Sequence, residues 1–235
     1  MRRPAAQVLY NTGLSLSPRR PPSVNTPAAR ASQLPPPPEA FHLRDEAWHQ
    51  ASIGQTLRHW DGRSDLWVFG YGSLVWRPEF DHLEARRARI HGYHRALCLW
   101  SRINRGTPER PGLVFGLDLG GSCEGTAYRI AGDRALDILG PLWQREMPSA
   151  SYIPRWLNCH TESGPVPGLV FTMDRRDAGY VTGLSIERIV AIVRQGHGRY
   201  GPCTEYVLQT ADALEAAGIT DRRLRAIAQA LRHAP

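Results

Sequence analysis

Residues 66–69, Leu-Trp-Val-Phe, form an unbroken apolar run between Asp65 and the segment Gly70-Tyr71-Gly72-Ser73. Four apolar residues with no polar alternation read as a strand buried on both faces. Two glycines one residue apart, directly after it, imply a tight turn at the strand's mouth, because glycine permits backbone angles closed to other residues. A strand that ends this way exposes several backbone N–H groups, which form an anion-binding concavity without a charged side chain. Gly70-x-Gly72 lacks the third glycine of a dinucleotide fingerprint. Ser73 lacks the flanking glycines of a nucleophile elbow.

Further strands are expected at 89–100, 113–119, 124–129 and 169–173, with Gly120–Gly121 marking a turn between two of them. A short lead-in helix is expected at 45–60. Asp133 is placed to cap a helix carrying Leu136, Leu139, Trp143 and Met147 on one face, with a kink or restart at Pro141. Ser185 caps a second, ended by Gly196. Two more follow in 204–234, split at Gly218, the later one capped by Thr220. Strands come first and helices mostly later, which argues for an α+β fold.

Residues 1–45 read as an appendage to a domain spanning 46–235. Nine of the 19 prolines fall within the first 40 residues, with few large apolar side chains beside them. Such a stretch cannot bury enough surface to offset its ordering entropy, so disorder with some polyproline character is expected. The apolar stretch 5–10 is too short for a secretory signal, while the Arg- and Ser-bearing segment with no acid before Glu39 shares the composition of a transit peptide. No run of 18 apolar residues occurs, so no membrane span is expected.

The formal net charge is +7, and all 29 basic residues are arginine. They are spread without a basic run, so a nucleic-acid partner is not expected. Cys98, Cys123, Cys159 and Cys203 form no CxxC and suit neither a zinc site nor a disulfide framework. They read as small buried hydrophobes in a reducing compartment, which makes the location cytoplasmic. His91 and His94 would face opposite sides of a strand and cannot share a metal there.

Phe69-Gly70-Tyr71-Gly72-Ser73-Leu74-Val75-Trp76 resembles the opening motif of the ChaC-type γ-glutamylcyclotransferases. Four later motifs match in the same order: Arg105-Gly106-Thr107-Pro108 with Pro111-Gly112; the strand Cys123 to Arg129; Leu142-Trp143-Gln144-Arg145-Glu146-Met147 followed by Tyr152; and Gly198-Arg199-Tyr200-Gly201 leading to Glu205-Tyr206. The resemblance runs from Leu66 to the C-terminus. It implies a small mixed β-barrel with helices around it, and cleavage of glutathione to 5-oxoproline and cysteinylglycine without metal or cofactor. It also implies that Val68, Phe69, Gly70, Tyr71, Gly72, Ser73 and Leu74 form the γ-glutamyl-binding loop and that Glu146 is the acid/base.

That chemistry suits the residues. In a γ-glutamyl amide the free α-amine attacks its own γ-carbonyl, so the enzyme mainly folds the substrate into the reactive rotamer, which is worth on the order of 7–11 kcal/mol. The amine is mostly protonated near neutral pH, and a partly buried carboxylate is the suitable base. Glu146 sits beside Trp143 and Met147. Asp137 is a rival carboxylate, but nine residues along a helix is half a turn out of phase, so it should face away unless Pro141 redirects it. Tyr152 and Tyr206 are candidates for the substrate's α-carboxylate, and Arg77 and Arg105 for the glycine carboxylate. Two alternatives stand beside this reading. One is a cyclotransferase for other γ-glutamyl amino acids or amines. The other is a non-catalytic γ-glutamyl-binding regulator of a partner such as a cation transport system, against which the acid at Glu146 counts.

Overall fold

The run 66–69 forms a strand with nothing polar to expose. In the computed structural model, which describes residues 33–233, it is β1, Leu66–Gly70, buried along its whole length. Its two faces serve two cores. Leu66 and Val68 join one cluster of buried side chains, and Trp67 and Phe69 join another. A strand covered on both sides has no alternation to show.

The other strands are β2 Glu84–Ser101, β3 Gly112–Ile130, β4 Tyr152–Thr161 and β5 Gly164–Met173. All five close into a barrel in the order β1, β3, β2, β4, β5. β1 is antiparallel to β3 and parallel to β5, so the sheet is mixed, and the α+β class and barrel are as expected.

The turn expected at Gly120–Gly121 is not a turn. β3 continues through both glycines, at φ +99° and +73°, and pairs with β2 along its length. Gly92, on the facing strand, has φ +84°, and the register shifts between His91 and Tyr93. The glycines bend a continuous ladder instead of ending it. β4 was not anticipated, because Pro154 interrupts its pattern. β4 pairs with β2 only at His160 and Thr161, so at Pro154 it has a partner on one side alone, where a strand tolerates a missing donor.

The helices are α1 Glu46–Thr56, α2 Ala135–Glu146, α3 Ile186–Gln195, α4 Cys203–Ala216 and α5 Arg222–Arg232. Asp45 caps α1, accepting from Trp48 N at 2.8 Å, and Ser185 caps α3, accepting from Arg188 N at 3.2 Å. Four expectations fail locally. Asp133 falls inside a 3-10 turn, Gly132–Arg134, that feeds directly into α2, so it caps nothing. α2 runs unbroken through Pro141, since the carbonyl it orphans belongs to exposed Asp137, where water can serve it. Leu136 is 61 % exposed because it lies at the margin of the apolar stripe built from Ala135, Ile138, Leu139, Leu142 and Trp143. The cap of α5 is Asp221, not Thr220: its carboxylate accepts from Leu224 N at 3.0 Å and also pairs with Arg95 at 2.8 Å.

α1 and α2 pack together on the cluster that contains Val68, Leu169 and Phe171. Trp143 donates to Ser52 Oγ at 3.0 Å and meets Phe171 edge to face, which pins the C-terminal half of α2. Helices α3, α4 and α5 contribute to the other cluster. Among the described residues no helix is long and apolar enough to cross a membrane. Nor, among them, do three His, Cys, Asp or Glu side chains group to hold a metal ion.

Candidate active site

The turn after β1, the C-terminal end of α2 and the start of α4 meet around a cavity of about 780 Å³. That volume suits a small peptide-sized ligand. Its walls include Tyr71, Gly72, Ser73 and Leu74 from the turn, Glu146 from α2, Tyr152 from β4 and Tyr206 from α4. Val68, Phe69 and Gly70 do not line it; they are the strand that carries the turn.

Neither glycine of the turn has a positive φ. A Cβ on Gly70 would lie 2.9 Å from Leu74 Cβ and 3.2 Å from the Tyr128 ring, so this position is closed by packing. A Cβ on Gly72 would stand 3.5 Å from Tyr206 Oη, in ordinary contact with the cavity wall. The turn continues as a 3-10 helix, Ser73–Val75. The N–H groups of Ser73 and Leu74, at its start, have no partner within the turn. Arg95, buried, secures the turn from behind: its Nε donates to Tyr71 O at 2.5 Å, Nη1 pairs with Asp221, and Nη2 donates to Glu124 O.

Glu146, the last residue of α2, continues the buried stripe at its end, four residues past Leu142 and seven past Leu139. Its side chain is 15 % exposed. Burial pushes its carboxyl above the ordinary glutamate value, and the neighbouring Arg145 opposes this only in part. Tyr71, Tyr206 and Tyr152 are close enough for the Glu146 charge to act on each, and burial together with that charge raises all three phenols. Arg145 itself is shared: Nη2 donates to Ser73 Oγ at 2.9 Å, Nη1 to Glu79 Oε2 at 2.9 Å, and Nε lies 3.3 Å from Glu146. The Ser73 hydroxyl therefore accepts from an arginine and keeps its proton for a ligand.

The two tyrosines differ in the same way. Tyr152 Oη donates to Phe115 O at 2.7 Å, while Tyr206 Oη accepts from Phe115 N at 3.1 Å. One strand peptide thus sets both rotors. Tyr206 is left with a free O–H donor, suited to a carboxylate or carbonyl oxygen. Tyr152 is left with free lone pairs, suited to an ammonium.

Arg105 lines the cavity, but its Nη1 donates to Tyr200 O at 2.6 Å and Pro202 O at 3.2 Å, and its guanidinium lies over the Tyr206 ring at 5.1 Å. It holds the loop before α4 in place. Arg77 pairs with Glu79 at the rim. Asp137 reaches the mouth instead of facing away, because the opening spans more than half the circumference of α2; it is largely exposed and faces Arg134 at 3.4 Å. Burial raises all four thiols, Cys203 and Cys123 to about 11 and Cys159 to about 12, and Cys98 further, so none is poised as a nucleophile.

Sequence reasoning did not single out Arg145, Phe41 or Leu43, all of which line the cavity. Arg145 had a visible signal: a charged pair, Arg145-Glu146, at the end of an apolar helical stripe. Phe41 and Leu43 fell within the segment read as an appendage. Arg44 N, next to them, donates to Pro148 O at 2.8 Å, which ties that segment to the loop after α2.

A family model described as ChaC-like protein matches residues 66–234. The glutathione-specific γ-glutamylcyclotransferase of Escherichia coli K12 is 33 % identical over 172 residues, covering 73 % of this chain and 74 % of that protein. The mouse glutathione-specific γ-glutamylcyclotransferase 1 is 31 % identical over 209 residues, covering 86 % and 90 %. Among solved structures, a yeast γ-glutamylcyclotransferase specific to glutathione superposes with a TM-score of 0.67 at 22 % identity, over 72 % of this chain and 96 % of that one, a likeness of fold.

Proposed function

Since the chain belongs to the ChaC-like family, we propose that it is a glutathione-specific γ-glutamylcyclotransferase, with Glu146 as its acid/base. The observation that carries the reading is the placement of Glu146: a carboxylate on a buried helical stripe, raised above its ordinary pKa, in the wall of a cavity shared with the turn after β1 and with Tyr206.

In this reading the γ-glutamyl group lies against the turn, its α-carboxylate accepting from the Tyr206 and Ser73 hydroxyls. The α-ammonium lies near Tyr152 and Glu146. Glu146 takes one proton from the ammonium, and the freed amine attacks the γ-carbonyl carbon. The N–H groups of Ser73 and Leu74 stabilise the oxyanion, such donors being worth roughly 3–4 kcal/mol each. As the intermediate collapses, the amide C–N bond breaks: Glu146 returns the first proton to the departing nitrogen, and the second proton, shed by the new ring nitrogen, passes by the same carboxylate to the freed amine, which leaves as an ammonium. The products are 5-oxoproline and cysteinylglycine, and the proton count is unchanged. Arg145 holds Ser73 and Glu146 in one register. The four free cysteines, all buried, suit a reducing compartment, in keeping with a cytoplasmic enzyme.

The experiment is to incubate the purified protein with glutathione and, separately, with γ-glutamyl-alanine, and to measure 5-oxoproline. Product from glutathione in marked preference is expected. Product from γ-glutamyl-alanine alone would reassign the substrate, and no product from either would overturn the enzymatic reading.

A further inference from the structure

Part of the cavity wall is not used by the cyclisation chemistry. Trp100, next to the last residue of β2, and Arg102, just past the strand's end, both line the cavity. They are 4 % and 5 % exposed. Trp100 Nε1 and Arg102 Nε and Nη1 are buried, and none has a hydrogen-bond partner among the described residues. Such groups are rare, because a buried donor without an acceptor loses its hydration for nothing, and a charged one loses most.

The other arginines of the cavity do not share this condition. Arg145 and Arg77 have the carboxylate of Glu79, Arg105 has two carbonyls, and Arg199 is exposed against the Tyr200 ring. Glu39 is near enough for its charge to act on Arg102, but no ion pair joins them. An indole N–H and a guanidinium can only donate, so whatever satisfies them must accept. A planar guanidinium fork is matched best by a carboxylate.

We propose that Trp100 and Arg102 form the subsite for the carboxylate at the far end of the substrate, which in glutathione is that of the C-terminal glycine. The proposal rests on the glutathione reading and supplies its selectivity. In a γ-glutamyl amino acid the distal carboxylate lies one residue nearer the scissile bond, about 3.5 Å short of the subsite. A γ-glutamyl amine has no such carboxylate.

The test compares glutathione with its glycine ethyl ester, which keeps the γ-glutamyl and cysteinyl parts and lacks the distal charge. With the unaltered protein the ester should show a KM about 10- to 100-fold higher, the range for one charged hydrogen-bonded contact. Its kcat should be nearly unchanged, since the contact is remote from the reacting carbonyl. Arg102→Met should raise the KM for glutathione to the ester's level and leave ester turnover as it was, which also shows that the variant folds. Arg102→Lys should fall between, because it restores charge without the fork. A purely structural role would instead lower turnover of both substrates together. Equal KM values for glutathione and ester in the unaltered protein, or equal losses on both in Arg102→Met, would overturn the subsite and leave the cyclotransferase reading standing. Absence of 5-oxoproline from glutathione with the unaltered protein would remove that reading, and the subsite with it.

Discussion

Glu146→Gln isolates proton transfer from everything else the residue does. Glutamine has nearly the same volume, so Trp143, Met147 and the buried stripe of α2 keep their packing. Its amide oxygen can still accept from Arg145 Nε, now 3.3 Å away. What disappears is the capacity to take a proton from the α-ammonium and to return it to the leaving amine. General acid–base transfer contributes about 10²- to 10⁴-fold, so kcat should fall by that factor, about 3–5 kcal/mol of barrier. KM should move by only a few fold. The assay is 5-oxoproline formation from glutathione across a pH series. In the unaltered protein the rate should rise with pH through a value above the ordinary glutamate range, because burial raises the Glu146 carboxyl. In the variant that rise should vanish. A kcat within about threefold of the unaltered protein, or an unchanged rise with pH, would refute the role.

The same substitution has a stability signature of definite sign. The folded-state pKa of Glu146 is raised above its reference value of 4.5. The stability this group contributes is therefore present below the unfolded pKa and lost as pH rises through the folded one. Above that window the protein holds a buried carboxylate at a cost that glutamine does not carry. Glu146→Gln should melt at an equal or higher temperature than the unaltered protein at pH 8, and the difference should close as pH falls to about 4. A variant that melts lower at pH 8 would mean that the Arg145 contact outweighs burial.

Tyr206→Phe should raise the KM for glutathione by about 10-fold and lower Tm by a few degrees, since it removes both the free O–H donor and the acceptor of Phe115 N; a change in KM with Tm untouched would show that the Phe115 bond is dispensable. Gly72→Val should abolish 5-oxoproline formation while the protein still unfolds cooperatively, because the first added carbon meets only ordinary contacts and the two methyls beyond it fill space beside Tyr206; retained activity would place the γ-glutamyl group elsewhere. Removing residues 1–40 should leave activity and Tm nearly intact, whereas removal through residue 45 should raise KM and lower Tm, because it takes away Phe41, Leu43 and the Asp45 cap worth about 1 kcal/mol; equal behaviour of the two truncations would show that Phe41 and Leu43 contribute nothing.

What could be read from the sequence was whatever local chemistry alone decides. The run 66–69 could only be a doubly covered strand, and Ser185 before an amphipathic run could only be a cap. Where two outcomes share one local signature, the deciding partner lies elsewhere in the chain. Gly120–Gly121 suits a turn or a bend, and the bend wins because β2 continues opposite, with Gly92 yielding at the same level. Thr220 and Asp221 are both competent caps, and Asp221 is selected because Arg95 reaches it from the barrel. Gly70 is a glycine on account of Leu74 and Tyr128, one of them 58 residues away, and no reading of dihedral preference reveals that. Arg105 and Arg102 look equivalent as letters. One has its carbonyl acceptors and the other has none, a difference visible only once residues 200–202 are folded against 103–105.

The balance at Glu146 can be argued from magnitudes. An ordinary glutamate near pKa 4.3 taking a proton from an α-amine near 8 faces a mismatch of roughly 3.7 units, or about 5 kcal/mol. Every unit by which the protein raises the carboxylate recovers about 1.4 kcal/mol of that. A fully engaged guanidinium beside the carboxylate would work the other way, lowering its pKa by about 1–3 units. Arg145 is next in sequence, yet its strongest contacts go to Ser73 Oγ and Glu79 at 2.9 Å, with Glu146 more distant at 3.3 Å. The net displacement of Glu146 is upward, so burial outweighs the arginine's residual pull. In the reaction proposed above, Glu79 acts without touching the substrate: by drawing Arg145 toward the rim, it keeps Glu146 basic enough to deprotonate the amine while Arg145 still fixes the Ser73 hydroxyl.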